Sequence, residues 1–237
     1  MHSRLDELRL AVMFLTRLPV GTLTDPPPLS RAAWAFPLVG LIPGLAGWLA
    51  LSLTGGVLGG MLAVLAMVLI TGALHHDGLA DFADGIWGGR DKARVLEIMR
   101  DSRTGSYGVL ALILFTTLPA LAMAEVGASL PAFLFAGVSS RLAMLVAMTR
   151  MPPARTDGLG EDAGGRANLL WGAIIVAFLG LWTGAAAIPA ALIAAAVAFG
   201  LARLALKRIG GQTGDVLGAI QLTSEAAIWV TLAALSG

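Results

Sequence analysis

The chain has 237 residues, 57% of them hydrophobic and only 13% charged, with a mean hydropathy of +0.82. So little polar surface could not coat a water-soluble domain of this length, so the composition points to a single membrane-embedded domain over residues 1–237. The absence of cysteine excludes disulfides, thiolate nucleophiles and cysteine-ligated zinc or iron–sulfur centres, and a net charge of +1 offers nothing to nucleic acid.

The N-terminal segment, 1–31, mixes acids with bases and has no plain apolar core before a small-residue cleavage site, so no removable signal peptide is expected. In it Leu5, Leu8, Val12 and Leu15 form one stripe at helical spacing opposite Arg4 and Arg9. That pattern suits an interfacial helix, or else a helix packed on the bundle. Apolar stretches of spanning length then follow at roughly 32–53, 57–75, 105–124, 129–149, 168–187, 188–206 and 217–236. The expected fold is an all-α, polytopic integral membrane helix bundle of about seven transmembrane helices; the weak division at Gly184 to Pro189 leaves six to eight open. Apart from Arg141, every arginine and lysine falls within 1–31, 76–104, 150–167 or 203–208. Short cytoplasmic loops concentrate such residues, which assigns the N-terminus and the loops 76–104, 150–167 and 207–216 to the cytoplasm. The alanine and glycine of the later spans suit close helix packing in lipid.

One stretch breaks the avoidance of charge: HHDGLADFADGIWGG, 75–89. Asp77, Asp81 and Asp84 stand at i, i+4 and i+7, within about 60° of arc on one helical face. Three carboxylates aimed at one point repel unless a cation sits among them, and oxygen-only donors favour Mg²⁺ or Mn²⁺ over Zn²⁺. A solvated acidic helix end is the plainer reading, but acids directly after a span are costly and tend to be functional. A histidine-carboxylate transition-metal site from His75, His76 and Asp81 fits less well, because adjacent helical residues point about 100° apart. One histidine is instead expected at a phosphate or an attacking hydroxyl, with a structural role as the alternative. Gly85, Gly88 and Gly89 are expected to interrupt the helix, and Asp91 to cap the next one, DKARVLEIMRDS. On that helix Arg94, Glu97 and Asp101 would share a face, making Asp101 a candidate fourth carboxylate. Arg94, Arg100 and Arg103 are candidate phosphate clamps, with topology anchoring as their plainer role. Ser102 to Gly108 is a weak anion-binding signal. The loop 155–170 reads as a lid or a connector. In GGQTGDVLGAIQLTSE, Asp215 belongs at the cytoplasmic edge of the last span, with Gln221 and Glu225 deeper; a buried Glu225 calls for a partner, and Arg141 is the expected one.

Carboxylates, Mg²⁺ and arginines at a membrane face suit phosphoryl or nucleotidyl transfer, and no GxxxxGK[ST] loop supports P-loop chemistry. The stretches HHDGLADFADGIWGG, RVLEIMRDSRTGSYG and GGQTGDVLGA, with the earlier FLTRLPV and FPLVGLIPG, resemble the cobalamin (5′-phosphate) synthase family, the adenosylcobinamide-GDP ribazoletransferases. The resemblance runs along most of the chain. It implies a multi-pass inner-membrane enzyme, its site facing the cytoplasm, that joins adenosylcobinamide-GDP to α-ribazole or its 5′-phosphate with release of GMP and dependence on Mg²⁺. On that basis Asp77, Asp81, Asp84 and Asp101 would hold metal and pyrophosphate and His76 would serve in catalysis. His75, Arg94, Arg100, Arg103 and Asp215 would contact substrate. Which carboxylate or histidine is the base stays open, as does homo-oligomerisation. Asp81-Phe-Ala-Asp84-Gly85 also resembles the DxxDG opening of CDP-alcohol phosphatidyltransferases, although Gly88-Gly89-Arg90 is one place out of register and the later GxxxDxxxD is missing. A phospholipid synthase is the runner-up; a cation-coupled transporter comes third, since most acids lie in loops rather than at mid-span.

Overall fold

Apolar runs in lipid must satisfy their own backbone, and helices do so within one segment. In the computed structural model, which describes residues 3–155 and 168–236, the regular structure is helical apart from one isolated bridge between Pro153 and Gln212. In chain order the helices are α1 (Arg4–Leu15), α2 (Leu29–Ala32), α3 (Phe36–Val39), α4 (Leu41–Thr54), α5 (Gly56–Thr71), α6 (Leu74–Gly88) and α7 (Lys92–Ile98). They continue with α8 (Ser106–Val126), α9 (Leu130–Arg150), α10 (Leu170–Thr183), α11 (Ala187–Ile209) and α12 (Gly214–Ala234).

Each expected apolar stretch is helical, but among the described residues only 5 helices are long and apolar enough to cross a membrane, or up to 6 if a bent pair counts as one span. One of these joins α2 to α4 through a short 3-10 turn, over Leu29–Thr54. The shortfall from about seven has two sources. Helix α10 has only 14 residues, and the stretch expected at 57–75 stops at Thr71. There Gly72 (φ 62°) and Ala73 (φ 59°) are both left-handed, their N–H groups close on Leu69 and Val68 carbonyls, and α6 leaves at 93° to α5. Glycine tolerates that conformation freely, whereas for Ala73 it costs about 1–2 kcal/mol.

Helix α12 is the centre of the bundle, 78% buried over its most apolar window, and packs against α6, α8, α9 and α11. Helix α11 is only 17% buried and presents most of its surface outward. Helix α1 docks on the bundle through Glu7, Ala11, Val12 and Leu15, so the buried face is turned from the expected stripe and Leu5 is exposed. The reason is polar: buried Glu7 accepts from Trp34 Nε1 at 2.8 Å and from Arg4 at 2.8 Å, with Arg31 at 3.7 Å. The approach of α9 to the start of α4 is closer still, because a Cβ on either Gly40 or Gly137 would lie against the other's carbonyl group. Such backbone-to-backbone contact is the small-residue packing that lipid favours. Gly137→Ala should therefore lower stability in detergent by about 1–3 kcal/mol, read as a reduced melting temperature, whereas Gly200→Ala, where a Cβ meets open space, should not.

Candidate active site

Helix α6 carries Asp77, Asp81 and Asp84 as the spacing predicts, while Leu79, Phe82 and Ile86 bury its other side. Exposure falls along the series: Asp77 is exposed, Asp81 intermediate and Asp84 buried. Gly78 of α6 lies against Asp215 and Gly218 of α12, where a Cβ would stand 3.1 Å from the Asp215 Cα. That contact brings Asp215 among the others: Asp81 feels the charges of Asp77, Asp84 and Asp215, and Asp215 that of Asp77. The cation facing Asp81 is Arg155, whose Nη2 donates to Asp215 Oδ2 at 3.0 Å. The sequence reading missed Arg155 as a site residue. It arrives because Ala154 N–H donates to Gln212 O at 2.9 Å and Gln212 N–H to Pro152 O at 2.8 Å, which lays the end of the α9 loop beside the approach to α12. A Cβ on Gly211 would block that pairing, and this glycine is the only local hint in the sequence.

Asp84 has a second task. Its Oδ2 accepts from Gly105 N–H at 2.6 Å and its Oδ1 from Gly108 N–H at 2.9 Å, so it caps α8, whose own N-cap residue is glycine. The weak anion-binding signal at Ser102 to Gly108 thus has an anion inside the protein, and a Cβ at Gly105 or Gly108 would strike it. Gly85 does not interrupt the helix as expected. Helix α6 runs on to Gly88, and Gly85 instead makes room for the Val95 carbonyl of α7 and for Met99 just after it.

Asp91 caps α7 as expected, accepting from Arg94 N–H at 3.0 Å. The helix then stops at Ile98, so Asp101 does not share a helical face with Arg94 and Glu97. It lies in the turn where its N–H donates to Ile98 O, and Arg103 holds its carboxylate at 2.6 Å and pulls its pKa down to about 2. Arg94 pairs with Glu97 at 2.8 Å, and Arg94, Arg100 and Arg103 are all exposed. Of the three, Arg103 is nearest in the chain to Gly105, whose N–H donates to Asp84. The lid or connector expected at 155–170 lies mostly outside the described residues.

The two histidines enter the bundle. His75 is buried and His76 half-buried, and both line a small cavity with Arg141, Gln221 and Glu225. Arg141 and Glu225 pair at 3.4 Å, as anticipated, with Gln221 donating to both Glu225 and Ser140. This polar cluster forms the floor beneath the aspartates, and His76 lies within electrostatic reach of Glu225.

No three acidic or histidine side chains among the described residues already converge on one point as metal ligands. The donor chemistry nevertheless fits a hard cation, since Asp81 faces three carboxylates against one arginine.

An all-helical bundle with several apolar spans, in which α6 and α12 bring a group of carboxylates together beside Arg155, is a polytopic membrane protein. Within that class the chain belongs to the cobalamin-5-phosphate synthase family, transferases of cobalamin biosynthesis, whose profile matches residues 7–233. Three relatives carry the name adenosylcobinamide-GDP ribazoletransferase. That of Bradyrhizobium diazoefficiens is 43% identical over 96% of this chain and 93% of its own. Those of Azorhizobium caulinodans (42%, covering 95% of each chain) and Mesorhizobium japonicum (40%, 94% of this chain and 91% of its own) follow. No solved structure matches the chain.

Because Asp84 serves two N–H groups, Asp84→Ala should lower thermal stability in detergent by about 1–3 kcal/mol. Asp77→Ala, at an exposed position, should leave the melting temperature nearly unchanged; equal losses in both would contradict the capping role.

Proposed function

We propose that the protein joins adenosylcobinamide-GDP to α-ribazole or its 5′-phosphate and releases GMP, at the cytoplasmic face of the inner membrane. The observation that carries this reading is the placement of Asp77, Asp81, Asp84 and Asp215 together in a chain that is similar along its length to named ribazoletransferases. The orientation rests on the clustering of arginine and lysine in alternate loops.

Asp77 and Asp81, on the open side of α6, would hold Mg²⁺, with Asp84 contributing from its buried position while it also caps α8. Asp101 could join them only by giving up Arg103. Bound there, Mg²⁺ would neutralise pyrophosphate oxygens and stabilise the departing GMP. The remaining chemistry belongs to the chain. Arg94, Arg100 and Arg103 reach the phosphates from α7 and the turn after it, Arg94 and Arg103 exchanging Glu97 and Asp101 for phosphate oxygens. Arg155 restrains Asp215 against the acceptor. Asp77 or His76 takes the proton of the ribose hydroxyl as its oxygen attacks the cobinamide-side phosphorus, and the phosphoanhydride bond to GMP breaks. His75, fixed in the helix packing, shapes the base of the site.

Purified protein in detergent, given adenosylcobinamide-GDP, α-ribazole and Mg²⁺, should release GMP, and EDTA should stop it. CMP release from a CDP-alcohol without GMP release would instead identify a phospholipid synthase, and neither activity would favour transport. Asp81→Asn should cut GMP release by at least about 100-fold while leaving membrane insertion intact. Arg94→Ala should raise the KM for adenosylcobinamide-GDP with little change in kcat; an unchanged KM would return Arg94 to a topological role.

A further inference from the structure

A second, larger cavity opens beside the acidic group, about 180 Å³ in volume, between α1, α3, α6, α9 and α12. Its walls differ in kind from the site around the α7 turn. Phe14 and Phe36 stand stacked in the wall, ring centroids 5.8 Å apart and planes 18° from parallel. Met144 and Met148, both buried, face the same space with Leu29 at its edge. The polar groups among the lining side chains are Asp77, Asp215 and His75, and the Nε2 of buried His75 has no hydrogen-bond partner. Two members of the acidic group thus sit in the wall of an aromatic and thioether-lined chamber.

Flat stacked rings and adaptable methionines suit a planar, uncharged aromatic ligand. The size agrees, since an apolar cavity of about 150 Å³ accepts benzene and a somewhat larger one accommodates a small fused ring. Resting on the transfer reading above, the candidates are the corrinoid, the guanine and the base of the ribazole acceptor. A corrin macrocycle is far too large for the space. Guanine's N1–H and amine would need a carboxylate at the ring, where Asp215 is already held by Arg155 and Thr213, and its carbonyl would find no side-chain donor in these walls other than His75. An alkylated benzimidazole has none of these groups, and its one free ring nitrogen could pair with His75.

We propose that this cavity is the acceptor subsite, in which the aromatic base of the nucleoside lies against Phe14, Phe36, Met144 and Met148. Its ribose then emerges at Asp77 and Asp215, which places the attacking hydroxyl at the acidic group. Helix α1, held by Glu7, supplies Phe14 and so serves as one wall of the substrate site.

The test uses full-length protein in detergent with Mg²⁺, measuring equilibrium binding of α-ribazole together with the KM for each substrate. Leu29→Trp, which fills the cavity from its edge, should weaken α-ribazole binding and raise its KM by about tenfold or more, with the KM for adenosylcobinamide-GDP within about twofold of wild type. Met148→Ala, which enlarges the space, should shift kcat/KM by about tenfold toward a nucleoside of a bulkier ring such as naphthimidazole. GMP release by wild type, with α-ribazole binding and ring preference indifferent to both variants, would overturn the subsite and leave the transfer reading intact. So would an equal rise in both KM values. Failure of wild type to release GMP, with α-ribazole binding still weakened by Leu29→Trp, would overturn the transfer reading and support the subsite.

Discussion

The carboxylate of Asp84 accepts the two N–H groups that open α8, and this contact governs how the rest of the site is placed. The first turn of a helix leaves donors without intrahelical partners, and at α8 the N-cap residue is a glycine that cannot serve them. A buried anion at the positive end of the helix dipole answers both needs. Because Asp84 is fixed to α6 by its backbone and to α8 by its oxygens, the turn containing Arg100, Asp101 and Arg103 must fold back across the end of α6. The same contact that stabilises the helix start therefore ties the turn carrying Asp101 and Arg103 to the Asp84 end of α6.

Much of this was legible in the sequence because it is periodic or compositional. The apolar stretches became helices, the Asp77, Asp81 and Asp84 spacing became one helix, and Asp91 became a cap because an aspartate ahead of a helix serves N–H groups three residues on. What was not legible depends on backbone geometry that spacing does not encode. Gly72 and Ala73 end α5 after 16 residues, so a stretch long enough to span on paper is divided between two directions. The end of α7 at Ile98 removes Asp101 from the face it would share with Arg94. Arg155 reaches Asp215 through a parallel bridge between distant loops, a contact no local pattern announces.

Beneath the aspartates, Arg141 and Glu225 show how the bundle tolerates charge at depth. Desolvating either alone would be costly, and each is surrounded by groups that share the cost: Gly137 O accepts from Arg141 Nη1 at 3.0 Å, and Gln221 donates to Glu225 and to Ser140. Gly137 contributes twice, through this carbonyl and through its close approach to Gly40. The polar floor and the small-residue packing of α9 are therefore one construction. A change that pushed α9 outward would disturb both the helix contact and the partner of a buried arginine.

Helix α6 separates two unlike environments, and its entry angle decides which residues meet each. His75 lines both the polar cavity shared with Glu225 and the aromatic chamber beside Asp215. A straight continuation of α5 would have carried residues 74–88 along the bundle axis set by α5; the 93° turn instead lays Gly78 on Gly218 and brings Asp77 and Asp81 to the start of α12. The left-handed Ala73 is the local cost of that turn, about 1–2 kcal/mol. The packing of Leu79, Phe82 and Ile86, all buried against neighbouring helices, holds α6 in that direction against this cost. The strained residue thus persists because the packing beyond it over-determines the direction of α6, and that direction sets Asp77 and Asp81 beside Asp215.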